Sequence, residues 1–217
     1  MISGDGAAAD RWRDLLVCEH LALELLRESG IPAPCSTWFD LDGSRYLEVD
    51  RFDRVGRQGR REVISLYAIY CHYLGDDSDN WSRASRRIRD EPSLSMDARH
   101  ADRMVWLDTF GDLIGNTDRH FGNFCFFTEE ASQLALTPTP VYDMLPMVFA
   151  PTAANRVERQ FAPRVPTALN LHLWHEVANY ALKYWSRLCE EEGISVGFRR
   201  ISADCREMLA RLVGERS

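Results

Sequence analysis

The apolar positions of this chain change period several times, and each change marks an element. Leu15, Cys18, Ala22 and Leu25 recur at three- and four-residue steps, which predicts a helix over residues 11–29. Gly30 and Pro32 supply its stop. Residues 36–41 and 45–49 are β-rich, and Asp42-Gly43 between them is a hairpin turn signal. Residues 51–61 are polar and rich in Arg and Gly, a loop, with a brief strand near Val63. Helices are expected over 65–74, 81–89 and 96–114, the last with Met104, Leu107, Phe110 and Ile114 on one face. Residues 115–123 break that period. A second hairpin is expected from 124–128 and 134–136, followed by an extended, Pro- and Ala-rich loop over 137–166. Two helices close the chain. Residues 171–190 align Trp174, Val177, Ala181, Trp185 and Leu188, and residues 202–212 align Cys205, Leu209 and Leu212. Residues 1–10, small and polar, read as a disordered lead-in. The pattern is mainly α (α+β), without repeats.

Composition narrows the class. The 217 residues are 45% hydrophobic and 27% charged, the balance of a globular protein of one domain or two small lobes. A net charge of −7 argues against a general nucleic-acid binder. Lys183 is the only lysine; every other cationic residue is Arg. Six cysteines lie scattered, without C-x-x-C or zinc-finger spacing, as in a reduced compartment. No apolar stretch reaches membrane-spanning length and the first residues hold no signal-like apolar core, so the expectation is a cytoplasmic chain without membrane contact.

The chemistry concentrates in LIGNTDRHFGNFCFF, residues 113–127, and VYDMLPM, residues 141–147. A helix delivers the chain into a loop holding Asn116, Asp118, His120 and Asn123, pinned by apolar residues at both ends, which is a common mount for a site. Phosphoryl transfer needs a carboxylate to orient the attacking hydroxyl and take its proton, a neutral oxygen ligand for Mg²⁺, and a second carboxylate bridging metal and phosphates. Asp118, Asn123 at the protein-kinase spacing, and Asp143 beyond a hairpin supply these in order. Each has a plainer reading. Asp118 is then a loop carboxylate, Asn123 a turn or cap residue, Asp143 a helix N-cap before Met144, and His120 a structural hydrogen-bonder. Phe52 is equally a core residue, and Asp53 a surface partner of Arg51 or Arg54.

GNTDRHFGN (115–123) followed by YDMLPM, with GIPAP (30–34) and YLEVDRFDR (46–54) upstream, resembles the HipA-like serine/threonine kinases of bacterial toxin–antitoxin systems. RWRDLL, RFDRVG and YDMLPM place the resemblance nearest their YjjJ-like branch, over nearly the whole chain. The resemblance implies the C-terminal lobe of a protein-kinase-like fold, with small β-hairpins at the hinge and catalytic loop. Residues 11–54 would be a residual small-lobe helix, hairpin and hinge, and residues 55–217 the helical large lobe. It implies Asp118 as catalytic base and Asn123 and Asp143 as Mg²⁺ ligands. His120 would lie near the phosphates, Asp50 and Phe52 would set their backbone against adenine, Asp53 would lie near the ribose and Tyr142 beside the nucleotide. Glu19 stands roughly where a kinase carries the helix glutamate that pairs with its phosphate-binding lysine. ATP and Mg²⁺ would be the cofactors, a Ser- or Thr-bearing protein the substrate, and an antitoxin or a missing N-terminal lobe a further partner.

The match has a gap. The sequence carries neither a small-lobe lysine nor a Gly-rich phosphate loop, parts that HipA-like kinases hold in an N-terminal half. The expectation is therefore a kinase lobe that is a fragment, a truncated product or one piece of a split enzyme. A non-catalytic binding module for an antitoxin or small lobe is the second reading, and a metal-dependent phosphohydrolase built on Asp118, His120 and Asp143 the third.

Overall fold

The computed structural model describes residues 6–75, 80–130, 132–151 and 160–215. Helix α1 spans Ala7–Glu28 and buries Leu15, Cys18, Ala22, Leu25 and Leu26. It starts before the expected residue 11, so residues 7–10 of the predicted lead-in are helical, while residues 1–5 lie outside the described residues. Its end is a Schellman motif: Ile31 N–H donates to Leu26 O at 2.9 Å and Gly30 N–H to Arg27 O at 3.0 Å, with Gly30 at φ 76°.

Strands β1 (Ser36–Leu41) and β2 (Ser44–Val49) form the predicted antiparallel hairpin. Asp42 and Gly43 both take positive φ, 49° and 73°, as a two-residue turn of the primed type requires. The Arg/Gly-rich stretch, expected as loop, contains a small ribbon of β3 (Arg54–Val55) and β4 (Gly59–Arg60). Strand β5 (Val63–Ser65) leads into α2 (Leu66–Ile69), capped by the Ser65 side chain and continued by a π-helical turn over Tyr70–Leu74.

Asn80 and Asp97 cap α3 (Trp81–Asp90) and α4 (Ala98–Leu113). Between these helices, β6 (Leu94–Ser95) joins a four-stranded sheet in the order β5-β7-β8-β6, where β7 is Cys125–Glu130 and β8 is Leu134–Pro138. The β7–β8 pair is the second predicted hairpin; β6 runs parallel to β8 and was not expected. Part of the predicted extended loop, residues 152–159, lies outside the described residues. Helix α5 (Trp174–Glu190) and α6 (Val196–Gly214) complete the chain, α6 beginning six residues before the expected 202 because Ser195 caps it there.

Trp174, Trp185, Tyr184, Phe110 and Phe198 are fully buried, which puts the core among α1, α4, α5 and α6. Two hydrogen bonds lock it: Trp185 Nε1 donates to Leu113 O and Tyr184 OH to Cys18 O, each at 3.1 Å. No helix among the described residues is long and apolar enough to cross a membrane.

Candidate active site

Helix α4 ends because Gly115, at φ 75°, turns the chain back, and Asn116 N–H closes on Gly111 O at 2.8 Å. A side chain at Gly115 would meet Val148 at 2.8 Å, so the reversal is tightly seated. The loop that follows carries Asp118 and His120, then a single 3₁₀ turn, Phe121–Asn123, and returns into β7.

Four side-chain amide contacts bring Asp118, Asn123 and Asp143 together. Asn116, 3% exposed, accepts from Asp118 N–H through Oδ1 at 3.0 Å and donates through Nδ2 to Asp143 O at 3.0 Å. Asn123 Nδ2 donates to Asp118 O at 3.0 Å and also to the carboxylate of Asp143. Asp143 sits at φ 57°, in the left-handed region that Asp tolerates better than most residues. It caps no helix, so the N-cap reading of Asp143 is overturned: the next helical turn is the 3₁₀ segment Met147–Phe149, after Pro146.

Glu19 reaches this centre from α1, its Oε1 accepting the Asp143 N–H at 3.0 Å. Burial, then the nearby Asp143 charge, push the Glu19 carboxyl up to about 7. Asp143 is likewise raised, first by burial and then by Asp118, with His120 opposing. Carboxylates held this close raise one another's proton affinity and favour a cation among them. Asn123 turns its amide nitrogen to Asp143, so the oxygen atoms this pair could offer a cation are Asn123 Oδ1 and the Asp143 carboxylate. Hard oxygen ligands of that kind suit Mg²⁺, which takes few protein ligands and keeps water or phosphate oxygens for the rest. Among the described residues no group of three or more His, Cys, Asp or Glu side chains forms a metal cage.

His120 caps the 3₁₀ turn, its Nδ1 accepting from Gly122 N–H at 3.0 Å. That leaves Nε2 as the nitrogen that carries the proton in the neutral ring. His120 and Asp118 together line one cleft of about 630 Å³, with Asn80, Asp112 and Arg164 on its other walls.

A second cleft, of about 480 Å³, opens beside the segment that follows β2. Val49, Asp50, Phe52, Asp53, Val63 and Tyr142 line it, with Glu19 at its base, and its size is ordinary for a small-molecule site. Phe52 stacks on Tyr142 at 5.8 Å between ring centroids and packs edge-on to Phe127 at 6.1 Å. Tyr142 OH donates to Gly122 O at 3.1 Å, which ties this wall to the catalytic loop, and lies 3.1 Å from Cys125 Sγ.

Two of the hinge residues are already engaged. The Asp50 N–H donates to Cys35 O at 2.9 Å, so only its carbonyl is left to face a base. Asp53 takes Arg51 in a fork, both contacts at 2.7 Å, so a ribose contact would have to share that pair. The surface ion-pair reading of Asp53 is thus the geometry observed.

Sequence reasoning missed the support beneath the loop. Arg119 Nε donates to Asp108 at 3.2 Å, and its other nitrogens donate to Asp112 and to Asn116 O. Asp108 simultaneously accepts from Ser82 N–H at 3.1 Å and Ser82 Oγ at 2.6 Å at the start of α3. Burial raises Asp112 in spite of Arg119. The available signal was the i, i+4 spacing of Asp108 and Asp112 among the apolar residues of the second half of α4.

The model of the HipA-like C-terminal domain family matches residues 5–213. Toxin YjjJ of Escherichia coli (strain K12) is 34% identical over 209 residues, 95% of this chain and 46% of that protein. The chain therefore spans about half the length of that curated relative. The structure of a Shewanella oneidensis MR-1 toxin–antitoxin complex of HipA, HipB and operator DNA contains a chain that aligns with a TM-score of 0.58 at 16% identity, over 93% of this chain and 55% of the other. The Helicobacter pylori proinflammatory kinase CtkA aligns with a TM-score of 0.58 at 10% identity, over 94% and 83%. At such identities the likeness shows the fold, that of a kinase-like C-terminal lobe.

Proposed function

The chain belongs to the family of HipA-like C-terminal domains, and from that premise we propose that it is the catalytic lobe of an ATP- and Mg²⁺-dependent serine/threonine protein kinase. The observation that carries the reading is the Asn123 amide, which ties the Asp118 backbone to the Asp143 carboxylate between two clefts. Asp118 faces the cleft open to a protein acceptor, where it orients a Ser or Thr hydroxyl and takes its proton as the oxygen bonds the γ-phosphorus and ADP leaves. Asn123 and Asp143 hold Mg²⁺, which supplies neutralisation of phosphate charge when bound. Phe52, Val63 and Tyr142 wall the base, the Asp50 carbonyl reads its edge, and His120 lines the acceptor cleft beside Asp118.

The test is phosphate transfer from labelled ATP by the full-length protein. Asp118→Ala is expected to lower kcat by about 100-fold or more while nucleotide affinity holds. Asp143→Ala is expected to abolish the Mg²⁺ dependence of nucleotide binding in isothermal titration. Wild-type transfer by Asp118→Ala would sink the assignment.

One observation favours the second reading, a lobe that binds a partner without turnover. Lys183 lies on α5, its ammonium 4.8 Å from the Tyr180 ring centre, and lines neither cleft. The phosphate clamp must then come from a small lobe on other residues, and an antitoxin is the natural further partner given the named relatives. Clean binding of Mg·ATP by this chain alone favours the competent site; none favours the module. The hydrolase reading is the weakest, since the Asp118, His120 and Asp143 set gains no further ligand among the described residues.

A further inference from the structure

A third hollow, of about 390 Å³, opens where the end of α1 meets the first half of α4 and the start of α5. It shares no lining residue with either cleft of the candidate active site. Its wall is aromatic: Trp106 and Tyr180 meet edge-on at 5.5 Å, and Trp106 stacks on Phe110 at 5.3 Å behind them. Two carboxylates line the hollow: Asp102, which is exposed, and Glu176, which is occupied in accepting Trp106 Nε1–H at 3.0 Å.

The cationic side is Arg99 and Arg103, one helical turn apart on the same face of α4. Arg99 is bonded to Asp97 at 3.2 and 3.3 Å. Arg103 is half-buried, and among the described residues it makes no ion pair or hydrogen bond. Burial first, and Arg99 second, hold its guanidinium below the usual arginine range, with no carboxylate opposing them. A half-buried cation without a counter-ion gains a partner when an anion enters the hollow.

We propose that this hollow binds a phosphate monoester, its oxyanion on Arg103 and Arg99 and its organic group against Trp106 and Tyr180. A dianion matches two guanidinium groups, whose planar forks fit phosphate oxygens in pairs. The aromatic wall selects an ester over inorganic phosphate, because only the ester brings a group to lie on it. The ester comes either from a phosphorylated side chain of a protein or from a small phosphorylated metabolite.

The experiment titrates the purified chain, without added Mg²⁺ so that no metal bridges phosphate to Asp143, with inorganic phosphate, phenyl phosphate and a phosphoserine hexapeptide. Saturable binding of phenyl phosphate or the peptide, tighter than inorganic phosphate, is expected. The tighter of the two esters identifies the source. Arg103→Gln is expected to weaken binding about 10- to 100-fold, the effect of losing a charged hydrogen-bond donor, with the circular dichroism and melting temperature unchanged. Arg103→Lys, which keeps the charge and loses the fork, is expected to fall between and decides the matter if the Gln variant misfolds. Absence of saturable ester binding at millimolar concentrations, or equal binding by both Arg103 variants and the parent, overturns the proposal.

Discussion

At the scale of single residues, the loop that holds Asp118 is steered by a contact the sequence hides. Arg119 lies across α4 at Gly111, where a Cβ would stand 2.4 Å from its Cδ. Only glycine lets the guanidinium reach Asp108 and Asp112, whose side chains are 4% and 16% exposed. Removing Arg119 leaves Asp108 with only its Ser82 bonds and Asp112 with only the exposed Arg164 at 3.5 Å, so Arg119→Met is expected to cost about 1–3 kcal/mol in urea denaturation. Gly111→Ala carries two opposing effects. Better helix propensity favours it by about 1 kcal/mol, and the clash costs about 1–3 kcal/mol, so a smaller net loss is expected. Equal stability of Arg119→Met and wild type would show the ion pairs idle. Asp118 and Asn123 could be read as neighbours because five residues of loop separate them, whereas Asp143, a further 20 residues on, is seated by Glu19 and Asn116 from other elements. Arg119 and Asn116 could not be placed, because their partners are chosen by the reversal at Gly115 and by the seat of Asp143, and neither has a local sequence signature.

At the scale of elements, local chemistry decided what could be read. The β1–β2 hairpin followed from Asp42-Gly43, since the turn itself demands positive φ at both positions. The two-residue β6 is too short for any period to show, and pairs with β8 only because α3 and α4 deliver it there. The early start of α6 has a similar cause. Ser195 caps the helix through Phe198 N–H, and Asp14 from α1 holds Ser195 by its N–H and its hydroxyl, both at 2.7 Å. Nothing near residue 195 announces a partner 181 positions away. Asp14→Ala is expected to destabilise the chain by about 1–3 kcal/mol and to speed hydrogen exchange at Phe198. Burial, set against the Ser195 bonds, holds the folded Asp14 carboxyl above its ordinary value. The folded chain therefore binds this proton more tightly than the unfolded one. The contribution of protonation is fully present below an unfolded pKa of about 4 and is lost as pH rises through the higher folded value. The stability gap between wild type and Asp14→Ala should accordingly narrow as pH climbs from about 4, measured by urea denaturation at a series of pH values. A gap that widens over that window would show that the Ser195 bonds, not burial, govern Asp14.

At the scale of the whole molecule, the two clefts depend on one stack of packed elements. The loop of Asp118 begins at the end of α4, and the Leu113 carbonyl there receives the Trp185 Nε1–H from the middle of α5. Trp185 also packs edge-on to Phe161 at 5.3 Å and Phe149 at 6.5 Å, the residues that back Gly115 and the segment after Asp143. One side chain thus joins the core helices to both halves of the candidate site. Trp185→Phe removes the donor and leaves a buried carbonyl unpaired, a loss of about 1–3 kcal/mol, to which the smaller ring adds a cavity. Because the lost bond ends on α4 one turn before Asn116, the variant is expected to weaken Mg·ATP binding as well as lower the melting temperature. A distant core position such as Leu209, fully buried on α6, serves as the comparison: Leu209→Ala should lower stability by about 2–5 kcal/mol and leave nucleotide affinity unchanged under conditions where both chains are folded. If Trp185→Phe and Leu209→Ala affect nucleotide affinity alike, α5 acts as general ballast; if only the former does, it is the beam on which the loop is set.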